Sequence, residues 1–233
     1  MLAFLSDSCG LFGDFMKNIL RISTVIALTS YSISAYSIGD LIGGVGYSSY
    51  KYNDNNSFST ENGYNLNASL LLSLLGVNPI ASIVIGPKLK YESVSASSTV
   101  NSYTQKETFS TTQVGAEGGI KINIIPSISL YGTAFATYGI SNTLAEDISG
   151  GGPIIPDQTV NPTVSKSWQM GADARGFFNL NSVFGIGGGV EFIRGSYAYD
   201  SSTINTNAGT QSVEGRTNSY SATNFNLLIA LYL

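Results

Sequence analysis

The residue types that most often carry enzyme chemistry are scarce in this sequence. It contains no histidine and a single cysteine, Cys9. Without histidine, a serine nucleophile lacks its commonest activating base, and a metal site built from histidine and cysteine is excluded. The remaining candidates are pairs of carboxylates, which can hydrolyse a glycosidic bond when they flank it.

Two pairs of carboxylates are placed so that they could act together. Glu146-Asp147 lies in a polar segment, and Asp173 could meet Glu191 if their strands are neighbours. A simpler role for Asp173 and Glu191 is to form ion pairs with basic residues such as Lys121 and Arg175. We therefore expect no enzyme activity, no catalytic residue, no metal and no cofactor.

The run "GIGGGV", Gly185 to Val190, resembles a phosphate-binding loop only in its glycine content. A dinucleotide-binding loop needs a strand before the glycines and a helix after them, whereas the residues after Val190 continue a strand pattern. The glycines fit better as inward-facing positions of a strand, where they leave room for a large neighbour such as Arg175 or Tyr131.

The composition limits the classes of protein to which this chain can belong. Only 11% of its 233 residues are charged, whereas soluble domains average about 25%. The formal net charge of −4 gives no support to nucleic-acid binding, and no nucleic-acid partner is expected. No run reaches the ~18 consecutive apolar residues that indicate a transmembrane helix.

Period-2 alternation of apolar and polar residues indicates strands along most of the chain. In the segment from Tyr64 to Leu75, for example, tyrosine, leucine and alanine alternate with asparagine and serine. Eight such segments occur. They are approximately Asp40 to Tyr52, Tyr64 to Leu75, Ala81 to Glu92, Phe109 to Ile124, Ile128 to Ile140, Ser165 to Phe178, Val183 to Tyr199 and Tyr220 to Leu233.

The connections between these segments alternate between long and short. The long ones are polar and are interpreted as loops at 53–63, 93–107, 141–163 and 200–218, whereas the others are tight turns. All the long loops therefore lie at one end of an up-and-down meander. The predicted strands have 11 or more residues, and strands of about 9–11 residues cross a membrane.

These features predict an all-β fold, an eight-stranded antiparallel transmembrane β-barrel. A sheet edge cannot be satisfied in hydrocarbon, so the first and last strands must pair. Charged residues cannot face lipid and should lie inside, either as structural ion pairs or lining a pore. The predicted interior charges are Glu117, Lys121, Asp173, Arg175 and Glu191. Aromatic residues near strand ends suit an interfacial girdle, and these are Trp168, Tyr47, Tyr138, Phe109 and Tyr220.

The N-terminal region has the features of a cleaved export signal. Residues 16–37 combine the basic residues Lys17 and Arg21 with an apolar core and a small-x-small site at Ala35-Tyr36-Ser37. Residues 1–15 lack positive charge, and we interpret them as a mis-annotated extension, with translation starting at Met16. The barrel then covers residues 38–233, and the exported chain contains no cysteine.

From about Ile38 to Leu233 the chain resembles the eight-stranded outer-membrane barrels of the OmpA/OmpX/Opa-like superfamily. The resemblance depends on strand number, loop asymmetry, the signal peptide and the alternating last strand. Members of this superfamily usually end on an aromatic residue, whereas this chain ends on Leu233 with Tyr232 beside it. The resemblance implies an assembly signal read by the barrel-assembly machinery. Its residues would be Phe225, Leu227, Ile229, Leu231 and Leu233.

The expected function is that of a non-enzymatic protein of the bacterial outer membrane. Its long loops would make surface contacts or mediate adhesion to a host or extracellular ligand, and its barrel would support the membrane. Outer-membrane lipid or lipopolysaccharide would surround it. One alternative is a small channel that passes ions or solutes along the interior charges. Another is a soluble lipid-binding barrel, in which the apolar residues would face inward.

Overall fold

The computed structural model describes residues 39–52, 61–76, 80–100, 103–149, 158–206 and 209–233. The predicted extension at 1–15 and signal peptide at 16–37 lie outside them. No described segment is a helix long and apolar enough to cross a membrane. The described strands are β1 (Asp40–Tyr52), β2 (Glu61–Gly76), β3 (Ala81–Val100), β4 (Tyr103–Ile125), β5 (Ile128–Ser149), β6 (Gln158–Val160), β7 (Val164–Asn179), β8 (Phe184–Tyr199), β9 (Ser202–Thr206), β10 (Gly209–Val213) and β11 (Arg216–Tyr232).

Eight of these strands form a closed antiparallel ring. Its order is β1, β2, β3, β4, β5, β7, β8 and β11, and β11 pairs with β1 to close it. The closing register runs from Asp40 opposite Tyr232 to Tyr52 opposite Tyr220. Closure satisfies the backbone of both terminal strands, which would otherwise be sheet edges. The predicted eight-stranded up-and-down barrel is therefore confirmed.

Tight turns connect the strands at the end of the barrel that carries Asp40, which we call the lower end. Pro126 and Ser127 form the turn between β4 and β5. Between β7 and β8, the side-chain oxygen of Asn181 accepts hydrogen bonds of 2.8 Å from the backbone amides of Val183 and Phe184. Asparagine favours such turns because its side chain bonds nearby backbone amides.

Three of the predicted loops are wrong in extent, because strands continue into them at the opposite, upper end. The segment 93–107 is mostly a hairpin of β3 and β4, since β3 ends at Val100 and β4 begins at Tyr103. The segment 141–163 contains the end of β5 and all of β6, and the segment 200–218 contains β9 and β10. Serine and threonine made these segments look like loops, although β-branched threonine is a good strand former. The remaining predicted loop, 53–63, lies largely outside the described residues.

Alternate residues of each barrel strand face outward, and within one zone all of them are apolar or glycine. This outer band has no charged outward side chain among its described residues, and its tyrosines lie near its upper edge. Along β5 it extends from Leu130 to Ile140, and ten residues at ~3.3 Å with a tilt of ~40° rise about 25 Å. On the other strands its limits are Leu41 to Tyr47, Tyr64 to Leu74, Ile83 to Tyr91, Val114 to Ile124, Trp168 to Phe178, Ile186 to Phe192 and Phe225 to Leu233.

The upper edge of the outer band is rich in exposed aromatic side chains. Among them are Tyr47, Tyr64, Tyr138, Trp168, Phe192 and Phe225. The predicted girdle residues Tyr47, Tyr138 and Trp168 lie here. The prediction is wrong for Phe109 and Tyr220, which are 2% and 1% exposed and face the interior. Both residues lie on the inward-facing side of their strands, because Phe109 has the same parity as the buried Glu117, and Tyr220 has the same parity as the buried Asn224.

The barrel interior is layered along its axis. A lower apolar cluster contains Ile42, Leu71, Val84, Tyr131, Phe177, Leu228 and Ala230. An upper aromatic cluster includes Tyr50, Phe109, Tyr197 and Tyr220. Charged side chains fill the space between the two clusters, and they are the first candidates for a functional site.

Candidate functional site

Lys88 lies at the centre of the interior charges. It belongs to β3 and is 2% exposed. Its ammonium Nζ contacts carboxylates from three other strands, at 3.1 Å to Glu117, 3.2 Å to Asp173 and 2.6 Å to Glu191. The ring of Phe135 lies 4.2 Å from the same nitrogen, at cation–π distance. One lysine thus ties β3 to β4, β7 and β8 across the barrel.

Arg175 connects two of the same carboxylates. Its guanidinium binds Glu117 through two nitrogens, at 3.1 and 2.5 Å, and donates a further bond of 2.5 Å to Asp173. Asp173 also accepts a 2.9 Å bond from the hydroxyl of Thr133. Two-pronged contacts of this kind are strong because the planar guanidinium matches the carboxylate geometry.

A second lysine extends the cluster upward. Lys90 lies 2.8 Å from Glu92 and 3.0 Å from Glu191. The amide of Asn224 donates 3.0 Å bonds to both of these carboxylates, and Gln169 donates to Glu92 as well. We call the seven charged residues the ionic cluster: Lys88, Lys90, Glu92, Glu117, Asp173, Arg175 and Glu191.

The ionic cluster contains three cations and four carboxylates, one formal negative charge in excess. Removing charges from water costs several kcal/mol for each ion, and only mutual pairing with well-formed hydrogen bonds offsets that cost. The observed geometry supplies such pairing to every member. The cluster is therefore held by mutual attraction, and removal of one partner should be costly.

A separate ion pair lies nearer the lower end. Lys121 contacts Asp40 at 2.8 Å, and the hydroxyl of Tyr131 donates a 2.9 Å bond to the same carboxylate. The ammonium of Lys121 also lies 4.9 Å from the ring of Tyr232. This pair links β1, β4, β5 and β11 where the barrel closes.

All five interior charges predicted from the sequence face inward, but they belong to two groups. Glu117, Asp173, Arg175 and Glu191 lie in the ionic cluster, whereas Lys121 binds Asp40 outside it. Asp173 and Glu191 are direct cross-strand neighbours. Both bind the Lys88 ammonium, and their side chains are 1% and 2% exposed, so the structure gives no access for a glycosidic bond between them.

The predicted set of interior charges omitted six further buried charged residues. They are Asp40, Glu61, Lys88, Lys90, Glu92 and Glu107. The signal was present for the residues of β3, because Lys88, Lys90 and Glu92 have the parity opposite to the outward Ile83 and Ile85. Parity extended along the whole strand would have assigned them to the interior.

The glycines of "GIGGGV" lie beside large interior side chains. A Cβ atom built at Gly189 would lie 3.2 Å from Cγ of Arg175, and one at Gly187 would lie 2.8 Å from the ring of Phe177. A Cβ atom at Gly185 would lie 2.6 Å from the hydroxyl of Tyr232. The strand therefore leaves room for its neighbours and does not form a loop for a phosphate group.

A hydrogen-bonded chain crosses the upper mouth of the barrel. It runs from Glu61 through the hydroxyls of Tyr52 and Tyr197 to Glu107. The two hydroxyl oxygens lie 2.9 Å apart, and Tyr197 donates a 2.5 Å bond to Glu107. Asn218 donates a 3.0 Å bond to the Tyr197 oxygen. We call Glu61, Tyr52, Tyr197 and Glu107 the mouth chain.

The mouth chain has three oxygen–oxygen contacts, whereas each of its two tyrosine hydroxyls carries one hydrogen. A proton on one of the two end carboxyls, Glu61 or Glu107, supplies the third hydrogen. Glu61 is 3% exposed, and its other oxygen has no hydrogen-bond partner among the described residues.

Burial and the neighbouring charge of Glu107 raise the pKa of Glu61 from 4.5 to about 8. Burial also raises the pKa of the Glu107 carboxyl. Because the folded state then binds the Glu61 proton more tightly than the unfolded chain does, the contribution of Glu61 to stability is greatest below pH 4.5 and falls as the pH rises toward about 8.

In the described part of the chain, no group of three or more carboxylate or thiol side chains is arranged to hold a metal ion.

The predicted assembly signal lies on the outer face of β11. Phe225, Leu227, Ile229, Leu231 and Leu233 are all exposed there, and Leu227 has the largest exposed fraction, 69%. The backbone amide of Leu233 donates a 2.9 Å hydrogen bond to Gly39, so the last residue joins the closing seam.

No protein-family model and no curated protein sequence matches the chain. Solved structures similar to it include Neisserial surface protein A, at 11% identity and TM-score 0.44, covering 84% of this chain and 98% of that one. Ail of Yersinia pestis is 14% identical at TM-score 0.36, covering 83% and 97%. The outer membrane protein OprG of Pseudomonas aeruginosa is 10% identical at TM-score 0.41, covering 86% and 99%.

Proposed function

We propose that this protein is an integral barrel of the bacterial outer membrane that is not an enzyme and whose upper end makes contacts at the cell surface. The uncharged outer band supports this proposal most strongly. Its estimated height of about 25 Å suits the hydrocarbon layer that outer-membrane barrels span. In water, so continuous an apolar surface would favour aggregation.

The distribution of polar groups supports the same conclusion. The interior holds the ionic cluster, and the outer band holds leucine, isoleucine, valine and aromatic side chains. A soluble lipid-binding barrel needs the reverse arrangement, with an apolar cavity and a polar outside. Export through the predicted signal peptide at residues 16–37 would bring the chain to the outer membrane.

The upper end offers the surface for contact outside the cell. The β3–β4 hairpin continues beyond the outer band with serine- and threonine-rich residues, and β5 continues to Ser149. Cross-strand hydroxyl pairs stabilise this extension, such as Ser93 with Ser110 at 2.9 Å and Ser95 with Thr108 at 3.1 Å. A polar hairpin at the cell surface suits recognition of a host or extracellular ligand.

The filled interior favours contact and membrane support over conduction. Lys88, Glu117, Asp173 and Glu191 have almost no exposed surface, and they bind one another across the barrel axis. An ion that followed these charges would have to break several of these contacts. Single-channel recording in planar bilayers separates the two functions, since sustained conductance by purified protein would favour the small channel.

Fractionation combined with surface proteolysis tests the membrane proposal. The protein should remain with outer membranes until detergent is added, and its gel mobility should shift on boiling. Protease added to intact cells should cut only in the upper segments beyond the outer band. Release of folded protein by osmotic shock without detergent would show that the proposal is wrong.

A further inference from the structure

The outward-facing basic residues all lie on the upper side of the outer band. Among the described residues they are Lys51, Lys106, Lys166 and Arg194. The other described basic side chains are those of the two interior groups and Arg216, whose guanidinium donates to the hydroxyl of Tyr199. No described outward basic residue lies at the lower end. Positive charge outside the barrel wall is therefore confined to one membrane surface.

Two of the four lie in one row across adjacent strands. Lys51 of β1 and Arg194 of β8 are both cross-strand partners of Ser221 in β11. With about 4.8 Å between neighbouring strands, their Cα atoms are roughly 10 Å apart on the same face. We call Lys51, Ser221 and Arg194 the basic row.

The rows beneath it lead directly into the outer band. Ser49, Thr223 and Phe192 form the next outward row below the basic row. The row below that consists of Tyr47, Phe225 and Val190. From top to bottom, β1 and β11 therefore change from polar to hydroxyl-bearing and then to apolar or aromatic, whereas on β8 Arg194 lies directly above Phe192. A lipid has the same order, with a charged headgroup above its chains.

The charges of the basic row are not neutralised by described carboxylates. Neither Lys51 nor Arg194 forms an ion pair with a described acidic residue, and both are exposed. Lys106 lies eight residues beyond Val114 of the outer band, opposite Asp147. Lys166 is on β7, two residues above Trp168 and opposite Ala198. The basic row is thus the place where two outward cations without a described acidic partner flank the same residue above the outer band.

We propose that the basic row binds phosphate groups of the lipid in the outer leaflet. The guanidinium of Arg194 can donate two parallel hydrogen bonds to one phosphate, and the ammonium of Lys51 can neutralise a second charge. The hydroxyl of Ser221 lies between them as a hydrogen-bond donor, and that of Thr223 lies in the row below. A headgroup with two phosphates can span the separation. This inference rests on the proposed membrane location, and it identifies the lipid chemistry that the barrel selects.

Reconstitution into vesicles with and without a phosphorylated glycolipid tests the inference. The purified full-length barrel and two double variants, K51Q/R194Q and the matched K106Q/K166Q, are compared by the amount of glycolipid retained through detergent exchange. Wild type and K106Q/K166Q should prefer the phosphorylated glycolipid to the same lipid after phosphatase treatment. The K51Q/R194Q variant should lose this preference about 25-fold, roughly fivefold for each basic residue.

Two results would overturn the inference. Retention by K51Q/R194Q at the wild-type level would show that the basic row does not recognise the lipid. Competition by inorganic phosphate at concentrations matching the lipid phosphate would identify a site for free phosphate. Heat-modifiable mobility shows for each sample that the barrel has folded, and failure of the wild type to insert would contradict the proposed function.

Discussion

Placing a lysine at the middle of the outer band tests the membrane assignment most directly. Ala134 faces outward on β5, four residues above Leu130 and six below Ile140. At ~3.3 Å per residue and a tilt of ~40°, it lies about 10 Å from the lower edge of a band about 25 Å high. We expect Ala134→Lys to lower the free energy of unfolding in a bilayer by about 2–4 kcal/mol, because the ammonium loses its hydration near the midplane.

The control is a lysine on the same strand beyond the outer band. Thr143 is exposed on β5 where the strand has passed the aromatic edge. Thr143→Lys should change stability by less than about 0.5 kcal/mol, as most exposed substitutions do. The measurement is equilibrium unfolding by urea in lipid vesicles, followed by the fluorescence of Trp168, the single tryptophan of the chain. Equal, small effects of the two substitutions would refute the reasoning, because a wall facing water tolerates lysine at both positions.

Further predictions concern the interior, the mouth and the closing strand. Lys88→Met should destabilise the barrel by about 3–5 kcal/mol in the same urea assay, since three carboxylates lose their shared cation. An unchanged unfolding midpoint would contradict the stabilising role of the ionic cluster. Wild-type stability should fall as the pH rises from 5 to 9, and Glu61→Gln should weaken that dependence. Because the pKa of Glu61 is raised from 4.5 to about 8, the loss in the free energy of unfolding can reach at most about 5 kcal/mol. Solvent at the mouth reduces the expected loss to about 1–3 kcal/mol. A Glu61→Gln profile parallel to that of the wild type would show that another group titrates. Leu233→Phe should preserve or increase the heat-modifiable fraction in outer membranes, and a loss of folded protein would argue against an assembly signal at that position.

Strand parity carried most of the sequence prediction. The alternation from Tyr64 to Leu75 placed the leucines at 66, 70, 72 and 74 on one face of β2, and the structure exposes Leu66 and Leu74 on that face. Where the alternation was followed along the whole strand, as for Asp173 and Arg175, the predicted face was correct. Parity assigns a residue to the wrong face only where a bulge or a misjudged strand end intervenes, because successive side chains of a strand point to opposite faces.

Composition misled the prediction where strands continue in polar sequence. Serine and threonine at 93–107 were interpreted as a loop, yet Val94, Ala96 and Glu107 in this segment are buried. Phe109 and Tyr220 were assigned to the girdle from their nearness to strand ends, although both fill the barrel. Nearness to an end gives height along the axis, whereas parity gives the face.

The sequence by itself determined the strand count, the two faces of each strand and the end that carries the long connections. Only the tertiary structure decided which interior charges meet. Lys88 and Glu191 are 103 residues apart in the chain, and their contact depends on ring closure and on the stagger of each strand pair. Alternation is a local property of the backbone, whereas partners across a barrel depend on the registers of all the strands between them.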